Sequence, residues 1–228
     1  MSEGATPRDL VIVGDSLFAE IAHEYFQHDS TYDVVAFSVE SSYRTRDRFH
    51  DLPVLAFEEL ERDLDPSKHS VFVAITYGGL NRLRTRLLND AVGKGFRPAS
   101  YVSSRAFVWP NVEIGEHCFV FEDNTLQPFV SVGRNCVLWS GNHIGHHSTI
   151  GDNVFVASHA VISGSVRIGD NCFVGVNATV VNDVTIGDDV WIGPAVTVTR
   201  DVEPNTVWRP ARSERRDGDA RSLFKAGE

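Results

Sequence analysis

The segment LWSGNHIGHHSTIG, residues 138–151, carries three histidines within five positions, between aliphatic residues and turn formers. A neutral imidazole can accept a proton from an attacking nucleophile near neutral pH, or it can bind a metal ion. His143, His146 and His147 are therefore candidates for general-base or metal chemistry. Which role is open to them depends on where the backbone places them.

A six-residue repeat of aliphatic side chains predicts that backbone. Every sixth residue from Ile114 to Val198 is Ile, Leu or Val, and an Ile-Gly or Val-Gly pair recurs every 18 residues from Ile114 to Ile186. Neither the alternation of a β-strand nor the period of an α-helix produces this spacing. The pattern predicts a solenoid of about five three-sided coils, with the repeated aliphatic side chains stacked inward.

The chain before residue 102 has a different organisation. Its short apolar segments have the length of buried strands and lie at 9–14, 32–39, 52–55 and 70–75. Segments with helical spacing lie at 16–26, 57–64 and 80–96. Alternating strands and helices predict a small, Rossmann-like parallel α/β sheet. We therefore predict an α/β domain over 1–101, a prism over 102–203 and a C-terminal tail over 204–228.

Charge and hydropathy argue against two classes of protein. The formal net charge is -10, whereas proteins that bind nucleic acids present clustered Lys and Arg to the phosphates. No apolar segment is long enough for a membrane span, and the N-terminus MSEGATPRDL lacks the basic and apolar regions of a signal peptide. These features predict a cytoplasmic protein that binds no nucleic acid and has no membrane span.

The repeat resembles that of the hexapeptide-repeat acyltransferases, whose coils form a left-handed parallel β-helix. The resemblance covers about residues 102–203, including corners rich in Asn, Asp and Gly such as GDN at 151–153 and 169–171. With the α/β region in front, the whole chain is similar to the sugar acyltransferases. That family includes sialic acid O-acetyltransferases and nucleotide-linked aminosugar N-acetyltransferases.

The resemblance implies an acetyl-CoA-dependent sugar acetyltransferase that serves the synthesis of bacterial or archaeal surface glycans. Its expected acceptor is the amino group of a nucleotide-linked amino-deoxysugar, its co-substrate is acetyl-CoA, and no metal is expected. The family also implies a homotrimer with the acyl site between neighbouring prisms. Two alternatives stay open, namely O-acetylation of a sialic-acid-type sugar and a non-catalytic solenoid that binds sugar nucleotides.

The repeat places two of the histidines at a corner on the outside of the prism. If Ile144 is the first residue of its hexapeptide, His146 is third and His147 is fourth. By resemblance, His146 is the general base and the backbone amide of Gly164, 18 residues later, stabilises the oxyanion. His147 stands where the family usually has an acidic residue, so it is the third candidate catalytic residue.

Other roles for these histidines compete with acid–base catalysis. His143, His146, His147 and His159 have enough nitrogens for a zinc site, but their spacing does not favour one. His143 and His159 either contact substrate or face water. A solvent-exposed His146 without a role is the remaining alternative.

The predicted nucleotide-sugar pocket lies beyond the strands that end near Gly14, Val39 and Ile75. The candidate residues that match the family's pattern there are Gly14, Asp15, Ser16, Glu40, Asn81 and Arg82, and His143 is added from the prism. A helix that begins after Ser16 can receive a phosphate through its free N–H groups. For Asn81 and Arg82, a solvated helix face is the alternative.

The predicted coenzyme A contacts follow the corner of His146 along the prism. They are Gly164, Asn182 and Arg200, which stand at 18-residue intervals, and Arg209 in the segment VWRPA that resembles the family's Gly-x-Pro-Ala. Arg212, Arg215 and Arg216 either meet the phosphates of coenzyme A or belong to a solvated tail.

The three cysteines are predicted to be structural. Cys118, Cys136 and Cys172 are all fifth in hexapeptides of the same face, which suggests a buried column of small apolar side chains. Stacked Cys118 and Cys136 could approach disulfide distance, but a reducing cytoplasm favours free thiols.

Overall fold

The N-terminal part of the chain is built on a mostly parallel six-stranded sheet. The computed structural model describes residues 8–211. The elements in chain order are β1 (Arg8–Val13), α1 (Leu17–His28), β2 (Tyr32–Val39), β3 (Arg48–Phe49), β4 (Leu52–Ala56), α2 (Leu60–Asp63), β5 (His69–Val73), α3 (Arg82–Gly93) and β6 (Arg97–Pro98), with 3-10 turns at Ser41–Tyr43 and Phe57–Glu59. The strand order is β3-β4-β2-β1-β5-β6, and of these neighbours only β3 and β4 are antiparallel.

The predicted α/β pattern is confirmed, and the structure adds one hairpin to it. The predicted polar loop after β2 contains a 3-10 turn and β3, which pairs with β4 through a tight turn at His50 and Asp51. Both turn residues have positive φ, 47° and 58°, as a two-residue hairpin turn requires. The segment predicted as a helix at 57–64 is a 3-10 turn followed by the four-residue α2.

The C-terminal part is a three-sided prism of short parallel strands. Face 1 consists of Tyr101–Val102, Phe119–Val120, Val137–Leu138, Phe155–Val156, Phe173–Val174, Trp191–Ile192 and Val207–Trp208. Face 2 consists of Phe107–Val108, Thr125–Leu126, His143–Ile144, Val161–Ile162, Thr179–Val180 and Thr197–Val198. Face 3 consists of Glu113–Ile114, Ser131–Val132, Thr149–Ile150, Arg167–Ile168 and Thr185–Ile186. The last strand of face 1 lies beyond the predicted end of the prism at residue 203.

Each strand pairs with the strand one coil later, which is 18 residues on, as for His143 and Val161, except at the last pair of face 1, where Trp191 pairs with Val207. The corners between strands repeat a single backbone conformation, because the fourth residue of every hexapeptide from His117 to Ala195 has φ between 55° and 76°. Asn and Asp tolerate this left-handed region best and occupy many of these positions. Phe129, His147 and His159 adopt it as well, so side-chain contacts must offset their backbone cost.

The interior of the prism is filled by the repeated aliphatic side chains and by the cysteine column. Cys118, Cys136 and Cys172 are fully buried and free, as predicted. Each thiol donates to a corner carbonyl 15 residues later, at a sulfur–oxygen distance of 3.1 Å. The thiols therefore satisfy polar backbone groups inside the prism.

The α/β unit packs against face 1 of the prism through aromatic side chains of both parts. Phe18 and Phe26 of α1 contact Phe119 with ring centroids 5.7 Å apart in each pair. Phe18 also lies 5.4 Å from the ring of Trp139. Because these rings are apolar and extensively buried, they supply much of the stabilisation of the interface.

A buried polar network accompanies this apolar contact. Arg84 of α3 is fully buried, and it donates from Nε to Asn135 Oδ1 at 2.8 Å and from Nη2 to the carbonyl of His117 at 3.0 Å. The backbone N–H of Val73 donates to His117 Nε2 at 2.8 Å. His117 Nε2 is therefore an acceptor, and its Nδ1, 2.7 Å from Asn135 Oδ1, carries the proton.

This arrangement requires a neutral His117. Burial lowers its pKa well below the ordinary value of 6.5, and the nearby Arg84 lowers it further. Below pH about 6.5 the unfolded chain takes up a proton at this position and the folded chain does not, so the free energy of unfolding must fall as the pH falls.

We predict that His117→Asn reduces this pH dependence, because asparagine accepts the positive φ of 59° and does not titrate. Between pH 6 and pH 5, the wild-type protein is expected to lose about 1.4 kcal/mol more than the variant. Urea unfolding from pH 5 to pH 8 measures the difference. Equal slopes for the two proteins would contradict a neutral His117 in the folded state.

Candidate active site

His146 and Gly164 meet on the edge of the prism between face 2 and face 3. His146 is exposed, and its imidazole lies over Gly164 in the next coil. A Cβ placed on Gly164 would be 2.7 Å from Cε1 and 2.8 Å from Nε2 of His146. A side chain at position 164 would therefore displace the ring, and glycine allows the close approach.

Gly164 is buried, and its backbone N–H differs from the equivalent groups on a neighbouring edge of the prism. At the edge between face 3 and face 1, carboxylates accept from the equivalent N–H groups of Arg134, Asp152 and Asp170, each at 2.8 Å. On the edge of His146, Gln127 Oε1 accepts from the N–H of His146 at 2.9 Å. Within residues 8–211 the N–H of Gly164 has no such acceptor. Because the same residue contacts the imidazole of His146, this unpaired donor is the candidate for stabilising an oxyanion.

A second imidazole lies beside that of His146. Nδ1 of His146 lies 3.1 Å from Nδ1 of His147. The ring of His147 is stacked on Phe129, with centroids 4.6 Å apart and an interplanar angle of 27°. When His147 accepts the Nδ1 proton of His146, the lone pair of His146 is on Nε2, which is the nitrogen over Gly164.

The predicted coenzyme A contacts continue along the same edge. Asn182 and Arg200 are exposed at successive 18-residue steps beyond Gly164. The guanidinium of Arg200 lies 5.7 Å from the ring of Trp208, and Arg209 is exposed directly after it. The other predicted arginines, Arg212, Arg215 and Arg216, lie outside the described residues.

The predicted phosphate turn stands at the carboxyl end of β1. Gly14 has φ 124°, and a Cβ there would be 3.0 Å from the carbonyl oxygen of Ala74, so the turn requires glycine. Ser16 is the N-cap of α1, but its side chain makes no capping hydrogen bond. Asp15 forms an ion pair with Arg46 at 3.3 Å.

Three other predicted pocket residues are engaged elsewhere. Glu40 forms a bidentate ion pair with Arg86 of α3, at 2.9 and 3.1 Å. Asn81, 2% exposed, donates to the carbonyl of Asn153, and Arg82 pairs with Asp189. A solvated helix face is therefore wrong for Asn81. Asn81 and Arg82 fix the beginning of α3 to the prism.

An aromatic groove at the strand-end side of face 1 was not predicted from the sequence. Tyr77, after β5, lies 5.1 Å from the ring of Phe155 and 4.6 Å from that of Phe173. Together with Trp139 these rings line a groove of about 230 Å³ that has no charged side chain in its lining. The available signal was the 18-residue series from 119 to 191, in which every position except Val137 is aromatic.

The other two candidate histidines of the prism lie near this groove and on face 2. The ring of His159 is exposed and lies against Gly141, next to the groove residue Ser158. His143 is half-buried in a strand of face 2. No cluster of three or more His, Cys, Asp or Glu side chains suited to a metal exists within residues 8–211. Within the same range, no helix is both long enough and apolar enough to cross a bilayer.

Solved structures share both parts of this architecture. The acetyltransferase domain of PglB from Neisseria gonorrhoeae FA1090 has a TM-score of 0.78 and 23% identity, covering 88% of this chain and 95% of that one. PerB from Caulobacter crescentus, in complex with CoA and GDP-perosamine, has a TM-score of 0.77 and 26% identity, covering 87% and 92%. WeeI from Acinetobacter baumannii AYE has a TM-score of 0.67 and 20% identity, covering 87% and 94%.

The chain has the two-part fold of the hexapeptide-repeat sugar acyltransferases. Residues 102–205 also match the family model described as the GMPPB C-terminal domain. No curated protein matches the sequence significantly. The predicted resemblance and the predicted left-handed β-helix of this acyltransferase fold are confirmed.

We predict that Gly164→Ala moves the His146 ring at little cost to stability. The three atoms nearest the added methyl group all belong to the exposed His146 ring, which can swing outward, so the loss should stay below about 1 kcal/mol. In Gly145→Ala the methyl group would meet backbone atoms of Ser163 and Gly164 at 2.5 to 2.7 Å, and we expect a loss of about 2 kcal/mol or more.

Thermal unfolding compares the stabilities of the two variants. NMR of the imidazole Cε1 protons follows His146, with His159 as the reference signal in the same spectrum. Equal destabilisation by both changes, or an unshifted His146 signal in Gly164→Ala, would contradict the contact.

Proposed function

We propose that this protein is an acetyl-CoA-dependent sugar N-acetyltransferase that acts on a nucleotide-linked amino-deoxysugar for surface glycan synthesis. The observation that carries the proposal is the imidazole of His146 packed against Gly164, whose backbone N–H has no hydrogen-bond acceptor within residues 8–211. A base and an oxyanion donor at one point are what direct acyl transfer to an amine needs. PerB, which has the same two-part fold, is described as a perosamine N-acetyltransferase and binds CoA and GDP-perosamine.

Each group of the edge has a role in this mechanism. Acetyl-CoA supplies the thioester carbonyl. His146 Nε2 accepts the proton that the sugar amine loses as its nitrogen bonds to the carbonyl carbon, and the N–H of Gly164 donates to the carbonyl oxygen as charge develops there. As the carbon–sulfur bond breaks, His146 returns the proton to the thiolate. Nδ1–H of His146 donates a hydrogen bond to His147, so the lone pair of His146 is on Nε2 and can accept the proton of the amine.

The strand-end pocket is the proposed site for the sugar nucleotide. Ser16 offers its backbone N–H at the start of α1 for the phosphates, whereas the N–H of Gly14 donates to the carbonyl of Ser38 at 2.8 Å and holds the turn in place. The aromatic groove begins at Thr76 and Tyr77, directly after the strand-end residues Ala74 and Ile75 that contact Gly14. An uncharged sugar ring can pack on these aromatic faces.

The proposed active site has two half-sites, the strand-end pocket and the His146 edge, and within one chain they do not face each other. The α/β unit covers face 1, whereas His146 lies on the opposite edge, between faces 2 and 3. A sugar held at the strand ends of one subunit must therefore meet His146 of another subunit. This geometry supports a homotrimer in which each site is shared between neighbouring copies.

We predict that His146→Ala lowers turnover at least about a hundredfold, because the attacking amine loses its proton acceptor. Release of CoA from acetyl-CoA is measured with GDP- and UDP-linked aminodeoxysugars, alongside hydroxyl-bearing analogues. His28→Ala is the control, since His28 is an exposed histidine at the end of α1, outside both the strand-end pocket and the His146 edge. Unchanged turnover in His146→Ala would remove His146 from the mechanism. Nucleotide binding by a wild-type protein without turnover would favour a non-catalytic solenoid.

A mixture of two inactive variants tests the shared site. His146→Ala removes the base, and Ser16→Glu places a negative charge at the predicted phosphate turn. When the two chains are coexpressed, random mixing should restore about a quarter of wild-type activity, because one interface in four combines both intact half-sites. Size-exclusion chromatography with light scattering reports the assembly. Absence of restored activity in a mixed trimer would place both half-sites in one chain.

A further inference from the structure

A basic segment crosses the start of α1, over residues 44–50. Its sequence RTRDRFH has a basic side chain at every second position, namely Arg44, Arg46, Arg48 and His50. Arg44 donates to the carbonyl of Val54 at 2.9 Å and to Asp47 at 2.7 Å, and Arg48 donates to the carbonyl of Asp51. These two guanidinium groups hold the hairpin together.

The other two basic side chains pair with acidic groups at the start of α1. Arg46 Nε lies 3.3 Å from Asp15 Oδ2, and His50 Nε2 lies 3.1 Å from Glu20 Oε1. The guanidinium of Arg46 also rests on the ring of Phe49, 4.8 Å from its centroid, which fixes its position. Arg46 is therefore directed at the residue between Gly14 and Ser16.

Asp15 poses an electrostatic problem for the proposed function. It stands in the turn that the proposal gives to the phosphates of the sugar nucleotide, and it is 20% exposed. An ionised carboxylate there would repel a diphosphate, because like charges at this separation in a partly desolvated site interact unfavourably. A cation held against Asp15 removes that repulsion.

We propose that Arg46 is a binding determinant of the nucleoside diphosphate site, because it neutralises Asp15 in the phosphate turn. This inference rests on the proposed function and assigns to the site a residue from a hairpin far from the turn in sequence. Neutralisation of Asp15 favours a diphosphate over a monophosphate, because the diphosphate carries the larger negative charge and would be repelled more strongly. Arg46 is a positioning residue here, since it acts through Asp15.

Calorimetric titration of the full chain with GDP and with UDP tests the inference. Arg46→Gln should weaken the affinity for the bound nucleotide by at least about tenfold, since it leaves the Asp15 charge uncompensated. Asp15→Asn should bind at least as well as wild type. The double variant Asp15→Asn/Arg46→Gln should return to within about threefold of Asp15→Asn, as expected when one residue acts only through the other.

Arg48→Gln is the matched control, because it removes the same charge from the same segment but its guanidinium contacts the hairpin instead of Asp15. Arg48→Gln should change the affinity for the nucleotide by less than about threefold. Circular dichroism and thermal unfolding verify that each variant is folded.

The outcomes separate this inference from the proposed function. A wild-type chain that binds neither GDP nor UDP would overturn both. Nucleotide binding that Arg46→Gln leaves unchanged would overturn the role of Arg46 alone. Weakened binding that Asp15→Asn fails to restore would overturn neutralisation of Asp15 as the mechanism. In acetyl transfer, Arg46→Gln should raise KM for the sugar nucleotide and leave kcat nearly unchanged, since His146 is on another edge.

Discussion

The 18-residue register between coils is the constraint on which the candidate active site depends. Each strand pairs in parallel with the strand one coil later, as for Thr149 and Arg167, so coils are spaced by one interstrand distance of about 5 Å. Left-handed residues at the corners from His117 to Ala195 turn the chain from one face to the next, so it returns to the same direction after three corners. Corner side chains therefore form columns, and His146 contacts Gly164 although neither residue is near the other in sequence. A register shift of one residue would separate them.

The joint between the α/β unit and the prism is the second constraint. Arg84 is buried and has no carboxylate partner in the described part of the chain, and neutral groups stabilise it: Asn135 Oδ1, the carbonyl of His117 and the face of Phe72. Burial lowers the pKa of Arg84 to about 10, which still leaves it charged at neutral pH. Such a network is favourable only when its geometry is right, so it specifies one orientation of the two parts. That orientation keeps the strand-end pocket away from the His146 edge of the same chain.

Periodic features of this molecule were predictable from the sequence, and single tertiary contacts were not. The contact of His146 with Gly164 and the cysteine column follow from counting by 18, because one physical demand recurs in every coil. The partners of Glu40 and Asn81 depend on where α3 packs in the folded chain, and no local sequence pattern predicts that position. The hairpin over Asp15 was missed for the same reason, because its strand β3 has only two residues. The aromatic groove was periodic on face 1, so it could have been found by extending the count to outward positions.

The replacement of the usual acidic neighbour by His147 follows from the same geometry. At the fourth position of its hexapeptide, His147 must adopt φ 60°, which costs a bulky residue about 1 kcal/mol or more. Its stacking on Phe129, the corner residue one coil earlier, offsets part of that cost and fixes the ring plane. The fixed ring presents Nδ1 to His146 at 3.1 Å. A neutral imidazole cannot stabilise a cation as a carboxylate does, but it can still accept the Nδ1 proton. The ring of His146 can therefore be oriented without a charged neighbour, because orientation requires only a hydrogen-bond acceptor near its Nδ1. The His147 ring, stacked on Phe129, provides that acceptor.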